Sequence, residues 1–329
     1  MKKTLITLIL LSNIILIFSE NSFTFVDLFA KIKKLGKMKT IAVAGADNPT
    51  ILQACRKVKD EKIANCILVG ESIKIEKTAK EANVDISDFE LIEKKGDMEI
   101  AFATTELVRT KKADIYAKGS LETKYTLKAI LDNEKGLRKR GINISGLTIL
   151  EAKKYHKVLI FTDAHVRPYP TLIEKVSLIN NAVEFANAIG IQNPKVAAVC
   201  ALEKVNPKMR ETEEALKLTR MNDIGQIRGC IVDGPLSFDL AINPKIPKYK
   251  GMQNRKIKGD ADIILFPNVH SANISYNLMI HVAGANSATL LSGTTAPCVF
   301  TSRSDSMNSK FNSFIFAIFY SEYLQGKSK

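Results

Sequence analysis

From about residue 38 onward, short β-branched and apolar runs alternate with longer segments whose apolar residues recur at helical spacing. That alternation predicts an α/β fold, because each strand feeds a helix that must bury one stripe against the sheet. The runs that read as strands are 40–44, 66–69, 114–117, 146–150, 158–162, 196–201, 230–233, 263–266, 288–291 and 298–301. Several end directly in Gly, Asp or Thr. In parallel sheets ligands bind beyond the carboxyl ends of strands, so these ends are where chemistry is expected.

Helix signals lie between the strands. Asn48-Pro49 supplies an N-cap followed by Pro at the first helical position, opening a helix to about residue 61. Segments 172–189 and 210–221 carry apolar residues at helical spacing and stop at Gly190 and Gly225. A last helix is expected over 305–323, with Phe311, Phe314, Ile315, Ile318 and Phe319 on one face as core.

At 329 residues the chain is long enough for two domains. It shows neither an internal repeat nor a low-complexity linker. Two domains without a linker imply a backbone that crosses between them more than once. The expected division is 22–150 plus 288–329 for the first domain and 151–287 for the second. Residues 1–21 stand apart: Lys2 and Lys3 precede an apolar stretch from Leu5 to Phe18. It reads as a signal segment, a short anchor, or sequence ahead of a start nearer residue 21. A full membrane span needs about 20 apolar residues, more than this stretch supplies. The expected location is cytoplasmic, with membrane contact confined to residues 1–20.

The formal charge of +14 raises the question of nucleic acid. The cations are scattered, however, and the densest runs, 31–39 and 138–140, lack interleaved aromatics on which bases stack. A small polyanionic substrate fits better. Five cysteines (Cys55, Cys66, Cys200, Cys230, Cys298) form no Cys-x-x-Cys pair and lie in or beside apolar runs, as buried free thiols do. His156, His165, His270 and His281 have no zinc-ligand spacing, so no metal is expected. Neither a Walker A loop, a Gly-x-Gly-x-x-Gly fingerprint nor a Gly-x-Ser-x-Gly elbow is present.

The segment Thr301-Ser302-Arg303-Ser304-Asp305-Ser306 joins an apolar strand to a helix start. Free N–H groups there, several hydroxyls and one guanidinium make an anion site in outline. Ser302-x-x-Asp305 is equally a variant capping box, and spacing alone leaves both readings open. The loop from Glu203 to Met209 is polar and basic, and Asp163 and Asp233 each follow or end a strand. Each of these is either a ligand contact or ordinary loop polarity.

Taken in order, Glu203-Lys204-Val205-Asn206-Pro207-Lys208-Met209, the run from Gly229 through Asp233-Gly234-Pro235 to Asp239, Gly259-Asp260-Ala261-Asp262-Ile263, and Ala296-Pro297 followed by 301–306 resemble the motifs of the phosphate butyryltransferases. The resemblance runs from about residue 22 to 320. It implies a two-domain α/β fold like the isocitrate and isopropylmalate dehydrogenases, with the active site in the interdomain cleft. It implies reversible exchange of acyl-CoA and phosphate for acyl phosphate and CoA, on butyryl or a similar short acyl group. It also implies no metal or redox cofactor, coenzyme A being a substrate, and a homodimer or larger assembly. Phosphate acetyltransferase and a noncatalytic CoA- or phosphate-binding homologue are the alternatives.

On that resemblance Arg303 is expected to hold the phosphoryl group, Ser302 or nearby backbone N–H groups to stabilise the oxyanion, and Asp305 to assist thiol deprotonation. Thr301, Ser306, Asn273, Asp163, Asn206 and Asp233 are the expected substrate contacts. In the related acetyltransferases the catalytic acid falls where this chain has Ser309. The family's Pro-Asp-Ile-Glu-Ala-Gly-Asn is here Pro267-Asn268-Val269-His270-Ser271-Ala272-Asn273, which puts Ala272 where a glycine's positive φ or close approach is expected to matter. Thr-Asp-Ala-Ala-Met-Asn becomes Thr162-Asp163-Ala164-His165-Val166-Arg167, placing a cation where the family has a neutral amide.

Overall fold

The computed structural model describes residues 24–327, so the expectations for residues 1–21 lie outside the described residues. The chain begins with α1 (Phe25–Leu35), closed at its start by a reciprocal Thr24–Asp27 capping box and at its end by Gly36 at φ +63°. It continues through β1 (Lys39–Ala44), α2 (Pro49–Asp60), β2 (Ala64–Gly70), α3 (Ser72–Glu81), β3 (Glu90–Glu93), α4 (Asp97–Arg109), β4 (Ile115–Lys118) and α5 (Thr123–Leu131). Then come β5 (Ser145–Glu151), β6 (Leu159–Thr162), α6 (Leu172–Ala188), β7 (Lys195–Val199), α7 (Arg210–Asp223) and β8 (Ile231–Leu236). Two short helices, α8 (Phe238–Ile242) and α9 (Ile246–Tyr249), precede β9 (Ile263–Leu265), α10 (Val269–His281), β10 (Asn286–Ser292), β11 (Cys298–Val299) and α11 (Met307–Lys327).

Among the described residues the eleven strands join one sheet in the order β3-β2-β1-β4-β11-β10-β5-β6-β9-β7-β8. Pairings are parallel at both flanks and antiparallel at β11–β10, β10–β5 and β5–β6. The expected alternation of strands and helices is therefore observed. The one strand unread from sequence is β3, a four-residue edge strand flanked by Glu90 and Glu93 whose ends are exposed. A short edge strand needs no continuous apolar run, so it carries little periodic signal.

The N-cap at Asn48 is made as expected, its side-chain Oδ1 accepting the Ile51 N–H at 3.1 Å with Pro49 at the first helical position. Gly190 and Gly225 lie past α6 and α7 at φ +94° and +76°. Helix α11 differs from expectation. It starts at Met307, two residues late, and Ser306 is the residue whose hydroxyl accepts the Ser309 N–H. Its expected apolar face is buried except for Phe319, which is half-buried, and Phe316, Ala317 and Tyr320 are buried too, because α11 packs on β10 and is covered by α1, α2 and α6. That central helix anchors the segment which precedes it.

Candidate functional site

Two strand ends build one wall of the site. Strands β4 and β11 are parallel neighbours with Val299 opposite Ala117, so the residues just beyond, Phe300-Thr301 and Lys118, leave the sheet side by side. The β4 exit is fixed by close backbone contact: a Cβ on Gly119 would sit 2.0 Å from the Gly45 carbonyl oxygen, so only glycine permits this approach of β1 and β4. Ser120 is bound in turn to Asp47.

The opposite wall is α10. Asn268 caps it by accepting the Ser271 N–H at 3.0 Å. Ala272, at the position where a glycine's conformational freedom was expected to matter, is an ordinary helical residue, fully buried, so neither positive φ nor ligand approach depends on it. Between these walls lies a cavity of about 980 Å³. It draws its lining from 118–124 and 300–309 on one side and from 164–165 and 269–281 on the other.

The turn 301–306 is folded by its own side chains. Asp305 accepts the Ser302 N–H at 2.8 Å through one oxygen and the Tyr276 hydroxyl at 3.3 Å through the other. The Ser302–Asp305 pair is therefore a closed turn ahead of the helix, and the helix cap is a separate residue. Ser302, Arg303, Ser304 and Ser306 are left exposed at the cavity. Beneath the turn Lys310, with no exposed surface, donates to Thr50 Oγ1 at 2.6 Å, the Asp305 carbonyl at 2.9 Å and the Arg303 carbonyl at 3.2 Å. Asn48 Nδ2 and Thr50 Oγ1 also reach these carbonyls, tying the turn to the start of α2.

The site is cationic, and burial shapes its protonation. Burial pushes Lys118 down to about 8, with nearby Arg303 adding to the effect and Asp305 opposing it. Lys310 is likewise pushed to about 8 by burial, against the attraction of Asp305. Burial raises Asp305 above the ordinary carboxylate value, against the Ser302 N–H, Lys310 and the Tyr276 hydroxyl. His165 is pushed by burial to about 4 and is therefore neutral near pH 7; its Nε2 lies 2.8 Å from Thr148 Oγ1.

Of the residues singled out from sequence, Thr301, Ser302, Arg303, Asp305, Ser306 and Asn273 meet at this cavity, Asn273 donating to the Ala164 carbonyl at 3.2 Å. Three do not line it. Asp163 is buried beneath the 163–167 turn, where its carboxylate accepts the N–H groups of His165, Val166 and Arg167. Asp233 is buried in an ion pair with Arg255 at 2.8 Å and accepts the Ile257 N–H, holding β8 to the 255–257 segment. Asn206 folds its own loop, accepting the Lys208 N–H and pairing with Thr212 at the start of α7. All three hold their neighbouring backbone in place, as short Asx side chains often do. Arg167 is equally spoken for, by Glu174 at 2.9 Å and Asn143 at 3.0 Å.

Sequence reasoning passed over Lys118, Lys310, Tyr276 and His165. Lys118 offered one signal, a lysine closing an apolar strand before glycine. Lys310 lies in a helical pattern whose apolar face reads as core, and Tyr276 lies in α10, a segment that carries no helix signal singled out above. Among the described residues no group of three or more His, Cys, Asp or Glu is placed to hold a metal ion, and no helix is long and apolar enough to cross a membrane.

Comparison with known proteins gives a consistent picture. The family described as Phosphate acetyl/butaryl transferase matches residues 24–103 and 98–318. A phosphate butyryltransferase of Clostridium acetobutylicum is 40% identical over 294 residues, covering 89% of this chain and 97% of the relative. A phosphate acetyltransferase of Thermotoga maritima is 36% identical, over 84% of this chain and 94% of its own. The crystal structure of a branched-chain phosphotransacylase from Enterococcus faecalis superposes with a TM-score of 0.76 at 30% identity, covering 86% of this chain and 99% of that one. In fold alone, a 4-hydroxythreonine-4-phosphate dehydrogenase from Klebsiella pneumoniae is also similar, with a TM-score of 0.52 at 12% identity. Matched along nearly all its described length and by relatives covered almost end to end, the chain belongs to the phosphate acetyl/butyryl transferase family.

Proposed function

We propose that this protein is a phosphate acyltransferase, exchanging CoA for phosphate on butyryl or a similar short acyl group, in a cleft between the two domains. The observation that carries the reading is the turn 301–306, whose exposed guanidinium and hydroxyls face one cavity with two buried lysines beneath and beside it. Relatives named for butyryl transfer at 40% identity support the acyl length. So does an apolar stretch of the lining from Ala164, Val269, Ile274, Ile280 and Phe300.

In this reading a phosphate oxygen attacks the thioester carbonyl carbon of acyl-CoA. The carbonyl π electrons move to oxygen, and collapse of the tetrahedral species breaks the C–S bond, releasing CoA thiolate. Arg303 holds the phosphoryl oxygens, and Ser302 donates to the oxyanion, a charge that develops only in the transition state. Asp305 orients Ser302 by accepting its N–H. In the reverse direction Asp305 takes the proton of the CoA thiol, whose unperturbed pKa near 8.5 leaves little thiolate at neutral pH; a carboxylate raised by burial is better matched to that task. Thr301, Ser306 and Asn273 complete the substrate contacts. Coenzyme A is a substrate here, and no other cofactor enters the scheme.

A cytoplasmic location, where acyl-CoA is held, and a homodimer or larger assembly accompany this reading. Measuring thiol release from acetyl-, butyryl- and branched acyl-CoA with phosphate tests it. Fastest turnover with butyryl-CoA is expected, a preference for acetyl-CoA would move the assignment to the acetyltransferases, and turnover with none of them would refute the proposal.

A further inference from the structure

Lys118 is a buried cation with too few partners. The residue is 3% exposed at the end of β4, and among the described residues it makes no ion pair within 4 Å. An ammonium carries three donors. Among the described residues the only acceptor within reach is the Thr301 carbonyl, at a long 3.4 Å. A buried charge left so poorly solvated is costly unless an opposite charge arrives. Beside it Thr301, 2% exposed, has a hydroxyl with no hydrogen-bond partner. Both residues line the cavity.

We infer that Lys118 and Thr301 form the inner phosphate subsite, binding the phosphate that accepts the acyl group. Phosphate is the ligand chemistry that answers both deficits. It brings negative charge to the ammonium and acceptor oxygens to the hydroxyl, and charge-assisted hydrogen bonds of this kind are the strong ones. The proximity of Arg303, which acts on Lys118 electrostatically, lets two cations share one dianion once it is bound. The depressed basicity of Lys118, mainly a burial effect, agrees with a group that lacks its counter-ion. The identity of the anion as a reacting phosphate rests on the acyl-transfer reading; the existence of the anion subsite does not.

The test is binding of inorganic phosphate and, separately, of free CoA to the full-length protein, by calorimetry and by shift in thermal midpoint, for wild type, Lys118→Met and Thr301→Val. Lys118→Met is expected to weaken phosphate binding on the order of 10- to 100-fold, the range for losing a hydrogen bond to a charged group. CoA binding should stay within about threefold, and Thr301→Val should weaken phosphate by about threefold to tenfold. Without ligand, Lys118→Met should melt at or above the wild type, because an uncompensated buried charge has been removed. A lysine with a merely structural role would lower that midpoint. Undiminished phosphate binding by Lys118→Met, equal loss of phosphate and CoA, or a wild type indifferent to phosphate would each overturn the inference. A wild type that binds phosphate through Lys118 yet turns over no acyl-CoA would leave the subsite standing and remove the acyltransferase reading.

Discussion

Replacing Lys310 with Met separates the work of a buried cation in shaping the site from its work in holding the fold. In the native protein Lys310 has no exposed surface and donates to Thr50 Oγ1 and to the carbonyls of Arg303 and Asp305. Its pKa falls from 10.5 to about 8, so keeping the proton at pH 7 costs about 3 kcal/mol, at about 1.4 kcal/mol per unit. Methionine of similar volume removes that cost together with the hydrogen bonds. The abandoned carbonyls keep weaker donors, Asn48 Nδ2 at 3.4 Å and Thr50 Oγ1 at 3.2 Å. Gains and losses of roughly 1.5–3 kcal/mol per charged bond nearly cancel, and the net stability change should be under about 2 kcal/mol. The turn, however, loses the ammonium that draws its two carbonyls inward and leaves Ser302 and Arg303 facing the cavity. A displacement of about 1 Å can cost on the order of 100-fold in rate. Urea unfolding and steady-state thiol release on the same preparation should therefore diverge, with kcat/KM down about 100-fold and stability nearly kept. A kcat/KM within about threefold of wild type would refute the positioning argument. A loss above about 4 kcal/mol would show that Lys310 serves the fold first.

Arg303→Ala should lower kcat/KM by roughly 100-fold or more, as removal of a transition-state donor does, while the unfolding free energy moves by no more than about 0.5 kcal/mol because the side chain is exposed; both are read from kinetics and melting of one sample. Asp233→Asn should show the reverse pattern, costing about 2–3 kcal/mol by denaturant titration through loss of the Arg255 pair while kcat/KM of the folded protein stays within about threefold. Lys118 and Lys310 both have lowered folded-state pKa values near 8, so their positive charge is lost as pH rises through 8 and the KM for phosphate should climb between pH 7 and 9.5; a flat profile would contradict the assignment. Their effect on folding has the opposite sign. Below pH 8 both states are protonated and the burial cost is complete, whereas between 8 and 10.5 the unfolded chain holds the extra protons and the cost shrinks. The stability advantage of Lys118→Met over the ligand-free wild type should accordingly diminish from pH 7 to 9.5, measured by urea titration at each pH.

The α/β class, ten of the eleven strands and the stops at Gly190 and Gly225 were legible in the chain, since periodicity and backbone-specific residues act locally. The 301–306 segment was legible as a place for an anion and ambiguous as a mechanism. Ser302-x-x-Asp305 looks the same whether Asp305 caps a helix or closes a turn in front of one, and only the start of α11 at Met307 distinguishes them. Asp163, Asp233 and Asn206 carried the same local signal as the residues that line the cavity, a polar side chain at or after a strand end. Their carboxylates and amides are consumed by backbone N–H groups and by Arg255, partners that no spacing reveals.

The sequence by itself therefore determined which elements form, because helix and strand periods, caps and glycines are properties of neighbouring residues. The tertiary structure decided which charges are buried and what partners they keep there. Lys118 and Lys310 are 192 residues apart (310 − 118), and in the chain they are two among 48 lysines and arginines. Only the pairing of β4 with β11, and the burial of α11 against β10, removes them from water around one turn. Desolvation is a property of the packed molecule, and it turns two ordinary cations into one that braces the turn, Lys310, and one short of partners, Lys118.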